Sequence, residues 1–460
     1  MKKIPDILQD CLSLCGGREA WGQTLYLMRR ERLFAAIYIA GTAVAIASAL
    51  MVANILHLRM GSFYPSVHRD RTVYVNANFE DARGYYLGYG FSRLAVEEMF
   101  GRLRCAELVC ALAGDEYVYD IKACAEVGKQ EVPVHPKFTD PDFFRLYPFR
   151  FVAGGAYTEE SMEHGDRCVV ITEDLARRLS LGNLNDGETG GIVGSTILLN
   201  YLPYRVIGVV RAASSLLMDC SADVYMPYTV SDSRGVYQNE RVSYVGGLQV
   251  RVLLKRGYGH EDLREELEVL WAKYDAMRKS ARAEEIKWRL FVDPHWAKTL
   301  NFIDSNRTTM SLLHNLALPA LLMLLFLLLP AINLSGMVSN RMEGRLAEMG
   351  VRKAFGANRG VLLRQVIQEN LVLTLLGGLA GYVLSWLIIA AIRNHPMFLA
   401  MFERDGEPVH QVSLQLDMFL SPSMFLIAFV CCAVLNLMAA LMPAWKSLKK
   451  PIVESLNQKK

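Results

Sequence analysis

Arg345 to Gly360 reads "RLAEMGVRKAFGANRG" and lies between two apolar runs, each long enough to cross a bilayer. From Asn340 to Arg364 there are six basic residues against two acids, Glu343 and Glu348. Lys and Arg stay preferentially on the cytoplasmic side of a membrane, so a basic segment between two apolar runs reads as a cytoplasmic loop joining two spans. That reading makes the chain a membrane protein and fixes the side of every other segment.

Outward from the loop, the 460 residues are 52% hydrophobic and 21% charged, too apolar for an ordinary soluble enzyme. The formal charge of +3 is nearly balanced, which gives no sign of a nucleic-acid binder. About 20 apolar residues at 1.5 Å each cross the hydrocarbon core as a helix. Four segments meet that length: Leu33 to Leu56, Leu312 to Met337, Leu371 to Ile392 and Met424 to Met442. The first is too long and too far from the N-terminus for a cleaved signal peptide, and it is predicted to be a retained anchor. The last follows "SPS", where Ser421 can cap a helix and Pro422 can take its first position.

Charge then sets the topology. Arg29, Arg30 and Arg32 precede the first span, and Lys446, Lys449, Lys450, Lys459 and Lys460 follow the last. Between Asn394 and Pro422 the only cation is Arg404, against Glu403, Asp405, Glu407 and Asp417. The predicted order is a cytoplasmic segment 1–32, span 33–56, external domain 57–311 and span 312–337. A cytoplasmic loop and helix 338–370, span 371–392, external loop 393–423, span 424–442 and cytoplasmic tail 443–460 complete it. The expected fold is therefore four transmembrane α-helices plus a large α/β extracytoplasmic domain inserted between helices 1 and 2.

Within the external domain, alternation predicts strands in "RTVYVNAN", in Tyr204 to Val210 and in Leu248 to Lys255. In "EDLREELEVLWAKYDAMRK", Leu263, Leu267, Leu270, Tyr274 and Met277 fall at helical spacing and predict one apolar face against a sheet. Chemistry is sparse. No HExxH occurs, the histidines show no metal spacing, and "GGIVGST" lacks the Lys of a phosphate loop. "GGAYTEE" and "VDPHW" read as a turn and a strand end, with His295 structural rather than a ligand. A membrane-anchored enzyme is disfavoured accordingly.

Five cysteines fall outside: Cys105, Cys110, Cys124, Cys168 and Cys220. The number is odd, so at least one is unpaired or bonded to a partner. Cys124 to Cys105 or to Cys110 are the most local pairings, and reduced buried thiols fit equally well. Cys11 and Cys15 fall inside, and Cys431 and Cys432 within the last span.

The stretch "AEMGVRKAFGANRGVLLRQVIQENLVLTLLGGLAGYVLSW" resembles the signature of FtsX-like permeases, the membrane subunits of MacB-type ABC transporters. The matching positions are Glu348, Met349, Gly350, Arg352, Lys353, Ala354, Gly356, Ala357, Glu369, Gly377, Gly378 and Gly381. "DPDFFRLYPFRFVAGG", around Asp142, Phe143 and Gly154, resembles the family's MacB-like periplasmic core domain. "CVVITEDLARRL", "YRVIGVV" and "VYMPY" follow in the family's order, and "MPAWKSLKKPIVESL" resembles its ending. Asn358 departs from the commoner Ser but can still cap the next helix.

The resemblance implies a permease subunit in the bacterial inner membrane, with its large domain in the periplasm. It implies no cofactor of its own and no enzyme activity, because ATP is bound by a separate cytoplasmic ABC ATPase subunit; no Gly-x-x-x-x-Gly-Lys-Ser/Thr loop occurs in the sequence. Hydrolysis there would drive periplasmic movement, a mechanotransmission that exports or extracts a hydrophobic or amphipathic substrate. The implied partners are a second permease, identical or different, in a dimer, and a periplasmic adaptor with an outer-membrane channel. The alternative is a non-transporting FtsX-like signalling or scaffold protein that controls a periplasmic partner such as a cell-wall hydrolase. On the same resemblance, Glu348, Met349, Gly350, Arg352, Lys353, Gly356 and Ala357 couple the chain to the ATPase. Met342, Leu346 and Met349 would share one side of a short helix, which could also lie against membrane lipid with its cations toward anionic headgroups. In the third span Gly377, Gly381 and Ser385 recur every four residues, a spacing that lets another helix approach closely, within the protomer or across a dimer.

Overall fold

Alternation in TVYVNANFED produces strand β1 (Thr72–Asp81), which buries Val73, Val75, Ala77 and Phe79 on one face and Tyr74 and Asn76 on the other. The computed structural model describes residues 29–113, 121–125, 131–179, 192–230, 244–280, 286–300, 320–328, 359–392 and 422–449, except 82, 215, 216 and 218, together with isolated positions between 317 and 395. The chain divides into two compact units. One is drawn from Met1–Leu58, Thr309–Met401 and Gln415–Lys460, the other from Arg59–Thr308 and Phe402–Leu414.

The described strands of the external unit join in one sheet. They are β1, β2 (Tyr86–Tyr89), β3 (Ala106–Ala113), β4 (Ile121–Cys124), β5 (Val132–Val134), β6 (Pro136–Thr139), β7 (Phe151–Gly154), β8 (Cys168–Thr172), β9 (Thr196–Leu199), β10 (Leu202–Val210), β11 (Val224–Pro227), β12 (Leu248–Leu254) and β13 (Ile286–Pro294). Their order is β13-β1-β12-β3-β6-β11-β8-β10-β9-β4-β5, with β2 on β1 and β7 on β10. The predicted strands at Tyr204 to Val210 and Leu248 to Lys255 correspond to β10 and β12. Most pairings are antiparallel, but β8 with β10 and β6 with β11 run parallel, so the sheet is mixed. Short helices α2 (Arg93–Glu98), α3 (Phe143–Leu146), α4 (Glu159–Glu163) and α5 (Glu173–Arg178) join or cover the strands. Ser92, Thr158 and Thr172 start α2, α4 and α5 by accepting the N–H of the residue three places on.

Two apolar cores lie along this sheet. One gathers Val73, Val75, Val250 and Val252 under helix α6 (His260–Ser280); the other gathers Val169, Ile171, Val206, Val209 and Met226 with Leu175 of α5. The buried face of α6 differs from the predicted one. Leu263, Leu267, Trp271 and Tyr274 are buried, whereas Leu270 is only partly so and Met277 is 55% exposed. The aromatic ring decides the shift: Trp271 stacks on Trp288 of β13 at 4.2 Å and packs against Phe79, burying more apolar surface than Leu270 could. Helix α7 (His295–Leu300) begins directly after Pro294, so "VDPHW" is the strand end that the sequence suggests.

In the other unit, α1 (Arg32–Met60), α8 (Arg359–Ile392) and α9 (Pro422–Lys449) contain stretches long and apolar enough to cross a membrane: Arg32–Leu58, Val366–Ile392 and Ser423–Leu441. Among the described residues these are three. The predicted span Leu312 to Met337 lies mostly outside the described residues, although 320–328 within it are helical. Helix α9 begins at Pro422, and α8 begins at Arg359, the residue after Asn358. Leu379, Val383 and Leu387 are about half exposed at four-residue spacing along α8. An exposed apolar stripe of that kind is stable in lipid and costly in water.

Candidate functional site

The residues singled out in the basic loop, Glu348, Met349, Gly350, Arg352, Lys353, Gly356 and Ala357, lie outside the described residues. Val351, which is not one of them, is a described position of that loop, helical and exposed. The short helix suggested by Met342, Leu346 and Met349 lies outside them too.

The small residues of α8 are described. A Cβ on Gly377 would lie 2.7 Å from Cβ of Thr42 and 3.3 Å from the carbonyl oxygen of Ile39. On Gly381 it would lie 2.7 Å from the carbonyl oxygen of Ala43 and 3.0 Å from Cβ of Ile46. Both glycines therefore let α8 approach the backbone of α1 more closely than any side chain would permit. Gly378 faces the third helix, with its Cβ position 2.6 Å from the Phe429 ring of α9. Ser385 is buried, and its hydroxyl donates to the Tyr382 carbonyl within α8 at 2.8 Å rather than to another helix. A hydrogen bond of 3.1 Å between the Tyr38 and Thr374 hydroxyls adds a polar tie between α1 and α8.

The external unit holds a buried polar network that sequence reading missed. Tyr74, on the face of β1 opposite the valines, donates its hydroxyl to Asp219 Oδ2 at 2.8 Å, and the same hydroxyl lies 2.9 Å from His295 Nδ1. Lys298 Nζ reaches Asp219 Oδ1 at 2.8 Å and sits 3.8 Å from the centre of the Tyr74 ring. Arg251, opposite Tyr74 in the β1–β12 register, places its guanidinium 4.7 Å from that ring. Burial by itself would raise the Asp219 carboxyl, but Lys298, Arg251 and His295 overcome it and hold the group well below the usual carboxylate range. Burial pushes Tyr74 well above the usual phenol range, and Asp219 adds to the effect. One signal was visible in the sequence: Arg251 interrupts the valines of "LQVRVLLK" on a strand buried on both faces.

Asp140 forms a second buried site. It accepts N–H groups from Ala111 and Phe143, and burial pushes its carboxyl up to about 7 against the hydrogen bonds from Ala111 and the Cys110 thiol. Cys105, Cys110, Cys168 and Cys220 are free thiols, and all five external cysteines are buried. Burial pushes the thiols of Cys105 and Cys220 up to about 12 and that of Cys168 to about 11, which leaves them poor nucleophiles. Among the described residues no group of His, Cys, Asp and Glu is arranged to hold a metal.

Two family descriptions match the chain: a MacB-like periplasmic core domain over residues 35–270 and an FtsX-like permease C-terminal region over residues 320–452. The macrolide export ATP-binding/permease protein MacB of Shewanella oneidensis is 23% identical over 346 residues, covering 72% of this chain and 44% of that protein. MacB of Escherichia coli K12 is 24% identical over 316 residues, covering 68% and 42%. The chain thus matches less than half the length of these relatives. The periplasmic region of MacB from Actinobacillus actinomycetemcomitans is 15% identical, over 51% of this chain and 94% of that one, with a TM-score of 0.32.

Proposed function

The chain belongs to the MacB-like ABC-transporter permease family with an FtsX-like C-terminal region, and from that premise we propose that it transmits ATP hydrolysis on a separate ATPase subunit to movement of its external domain. The proposed outcome is export or extraction of a hydrophobic or amphipathic substrate across or from the bacterial inner membrane. The observation that carries the reading is that both family descriptions fall on one chain, the periplasmic core domain over residues 35–270 and the permease C-terminal region over residues 320–452. The chain works as a dimer, with itself or a second permease, and delivers substrate to a periplasmic adaptor and outer-membrane channel.

Coupling is assigned to Glu348, Met349, Gly350, Arg352, Lys353, Gly356 and Ala357. Glu348 runs against the basic trend of its loop, so neither topology nor anionic lipid requires it, whereas a basic or hydrogen-bonding surface on the ATPase does. Gly350 and Gly356 admit a close approach of backbone to partner. Loss of one member of a desolvated interfacial pair costs ~2 to 5 kcal/mol, at least about thirtyfold in affinity. Glu348→Lys is therefore expected to insert normally, yet to lose most co-purification with the cognate ATPase or to uncouple its ATP turnover in nanodiscs, while Arg359→Ala does neither. Normal association and coupled turnover in Glu348→Lys would leave the loop a topology signal alone.

A further inference from the structure

We infer that Asp219 is the pin of a clasp that fastens α7 to strand β1, so that the last described external element before the chain returns to the membrane moves with the sheet as one body. Helix α7 has six residues, too few to hold a helix in water without outside contacts. Two of its side chains converge on one point: His295 Nδ1 meets the Tyr74 hydroxyl at 2.9 Å, Lys298 Nζ meets Asp219 at 2.8 Å, and the same ammonium lies over the Tyr74 ring.

The direction of these bonds follows from the inventory of protons. An ionised Asp219 can only accept, so Tyr74 gives it the single hydroxyl proton, and His295 must then carry its own proton on Nδ1 and donate to the Tyr74 oxygen. The chain of donors runs from α7 through β1 and ends on the carboxylate. Lys298 closes it from the other side. Remove the negative charge, and the Lys298 ammonium, 17% exposed, loses its ion pair with Asp219 while Tyr74 no longer has a forced direction. Asp219 is delivered by a loop that neither strand nor helix supplies, held by the Cys220 N–H to the Leu217 carbonyl and by the Tyr225 hydroxyl to the Cys220 carbonyl.

The other chain end is ordered just ahead of the same strand. Residues that follow α1 fold back through Arg69, which donates to the Gly61 carbonyl at 2.8 Å and the Ser66 hydroxyl at 3.0 Å, and Thr72 donates to the His68 carbonyl at 2.7 Å, two residues before Tyr74. The chain thus enters β1 two residues before the tyrosine on which α7 is fastened. That the clasp carries nucleotide-driven movement into the sheet rests on the transport reading proposed above; that it fastens α7 does not.

Hydrogen–deuterium exchange on the full chain in nanodiscs tests the clasp. In Asp219→Asn, exchange across 295–300 is expected to rise about tenfold or more, with β8 and β10 unchanged. No change at 295–300, or an equal rise in β8 and β10, overturns it, since a residue that served only overall stability would loosen the sheet as well. Lys298→Met keeps Asp219 bonded to Tyr74 and serves should the first variant not fold: a smaller local rise supports the clasp, and none overturns it. With the ATPase bound, Asp219→Asn is expected to retain ATP turnover and lose the nucleotide-dependent change in exchange at β1 and β12. An intact response overturns the role in coupling. Failure of the wild-type chain to bind any ATPase would overturn the transport reading and leave the local result standing.

Discussion

Asp140 illustrates how one buried carboxyl sets a pH dependence opposite to that of another, Asp219. Folded, it keeps its proton up to about 7; in the unfolded chain it releases it near the ordinary 3.8. The folded state binds more protons in between, so the stability this group adds is fully present below about pH 4 and is lost as pH rises through 7. Asp219 acts in the other sense, its lowered carboxyl favouring the fold at neutral pH and ceasing to do so only in strong acid. Across about pH 5 to pH 8 Asp140 titrates while Asp219 stays ionised. Thermal unfolding of the wild type is expected at higher temperature at pH 5 than at pH 8 by more than in Asp140→Asn. The variant should also be less stable at pH 5, by about 1 to 3 kcal/mol, because an amide cannot accept from both Ala111 and Phe143 N–H groups as the carboxyl does. Identical pH profiles for the two proteins would show that Asp140 does not titrate in this range.

At the scale of elements, the α1–α8 contact distinguishes two glycines that look alike in the sequence. A methyl on Gly377 meets only the Thr42 side chain within 3 Å, at Cβ and Cγ2, whereas a methyl on Gly381 meets the backbone oxygen of Ala43 at 2.7 Å. Side chains can be exchanged and carbonyls cannot. Gly377→Ala is thus expected to lower thermal stability in detergent and to recover at least half of the loss when combined with Thr42→Gly, a coupling that a double-mutant cycle reads directly. Gly381→Ala should gain nothing from Thr42→Gly. Equal rescue of both would place the crowding elsewhere. The glycine spacing was legible without a structure, because period alone puts residues four apart on one face; the partner was not, since Thr42 and Gly377 are far apart in the chain. The same limit hid the clasp. Tyr74, Asp219 and His295 come from three segments, and each taken alone reads as an ordinary strand, turn and strand end. Alternation gave β1, β10 and β12 because one face of each is apolar, while the apolar face of α6 was misassigned at Leu270 because spacing weighs Leu and Trp alike and stacking does not.

The whole external unit is built to fold without the membrane. Its two apolar cores lie along one continuous sheet, and they are joined at β3 and β12, where Leu248 belongs to one core and Val250 and Val252 to the other. A boundary crossed by a seven-residue antiparallel ladder cannot open without costing both sides, which makes the two cores one cooperative unit. A fragment from Ser62 to Asn306 is therefore expected to be soluble and to unfold in a single transition. The cysteines supply a probe that fluorescence does not. Cys105 belongs to the first core and Cys110 lies on β3 opposite Arg251, whereas Cys124 and Cys168 lie on strands of the second, and all four are buried. A maleimide should leave them unlabelled in the native fragment and modify both groups at one common rate once unfolding begins, because each thiol becomes reactive only when its own core opens. Early labelling of Cys124 and Cys168 with Cys105 and Cys110 still protected would mean that the core under α6 survives alone, and that the continuous sheet does not bind the two halves into one body able to pass a movement from one end to the other.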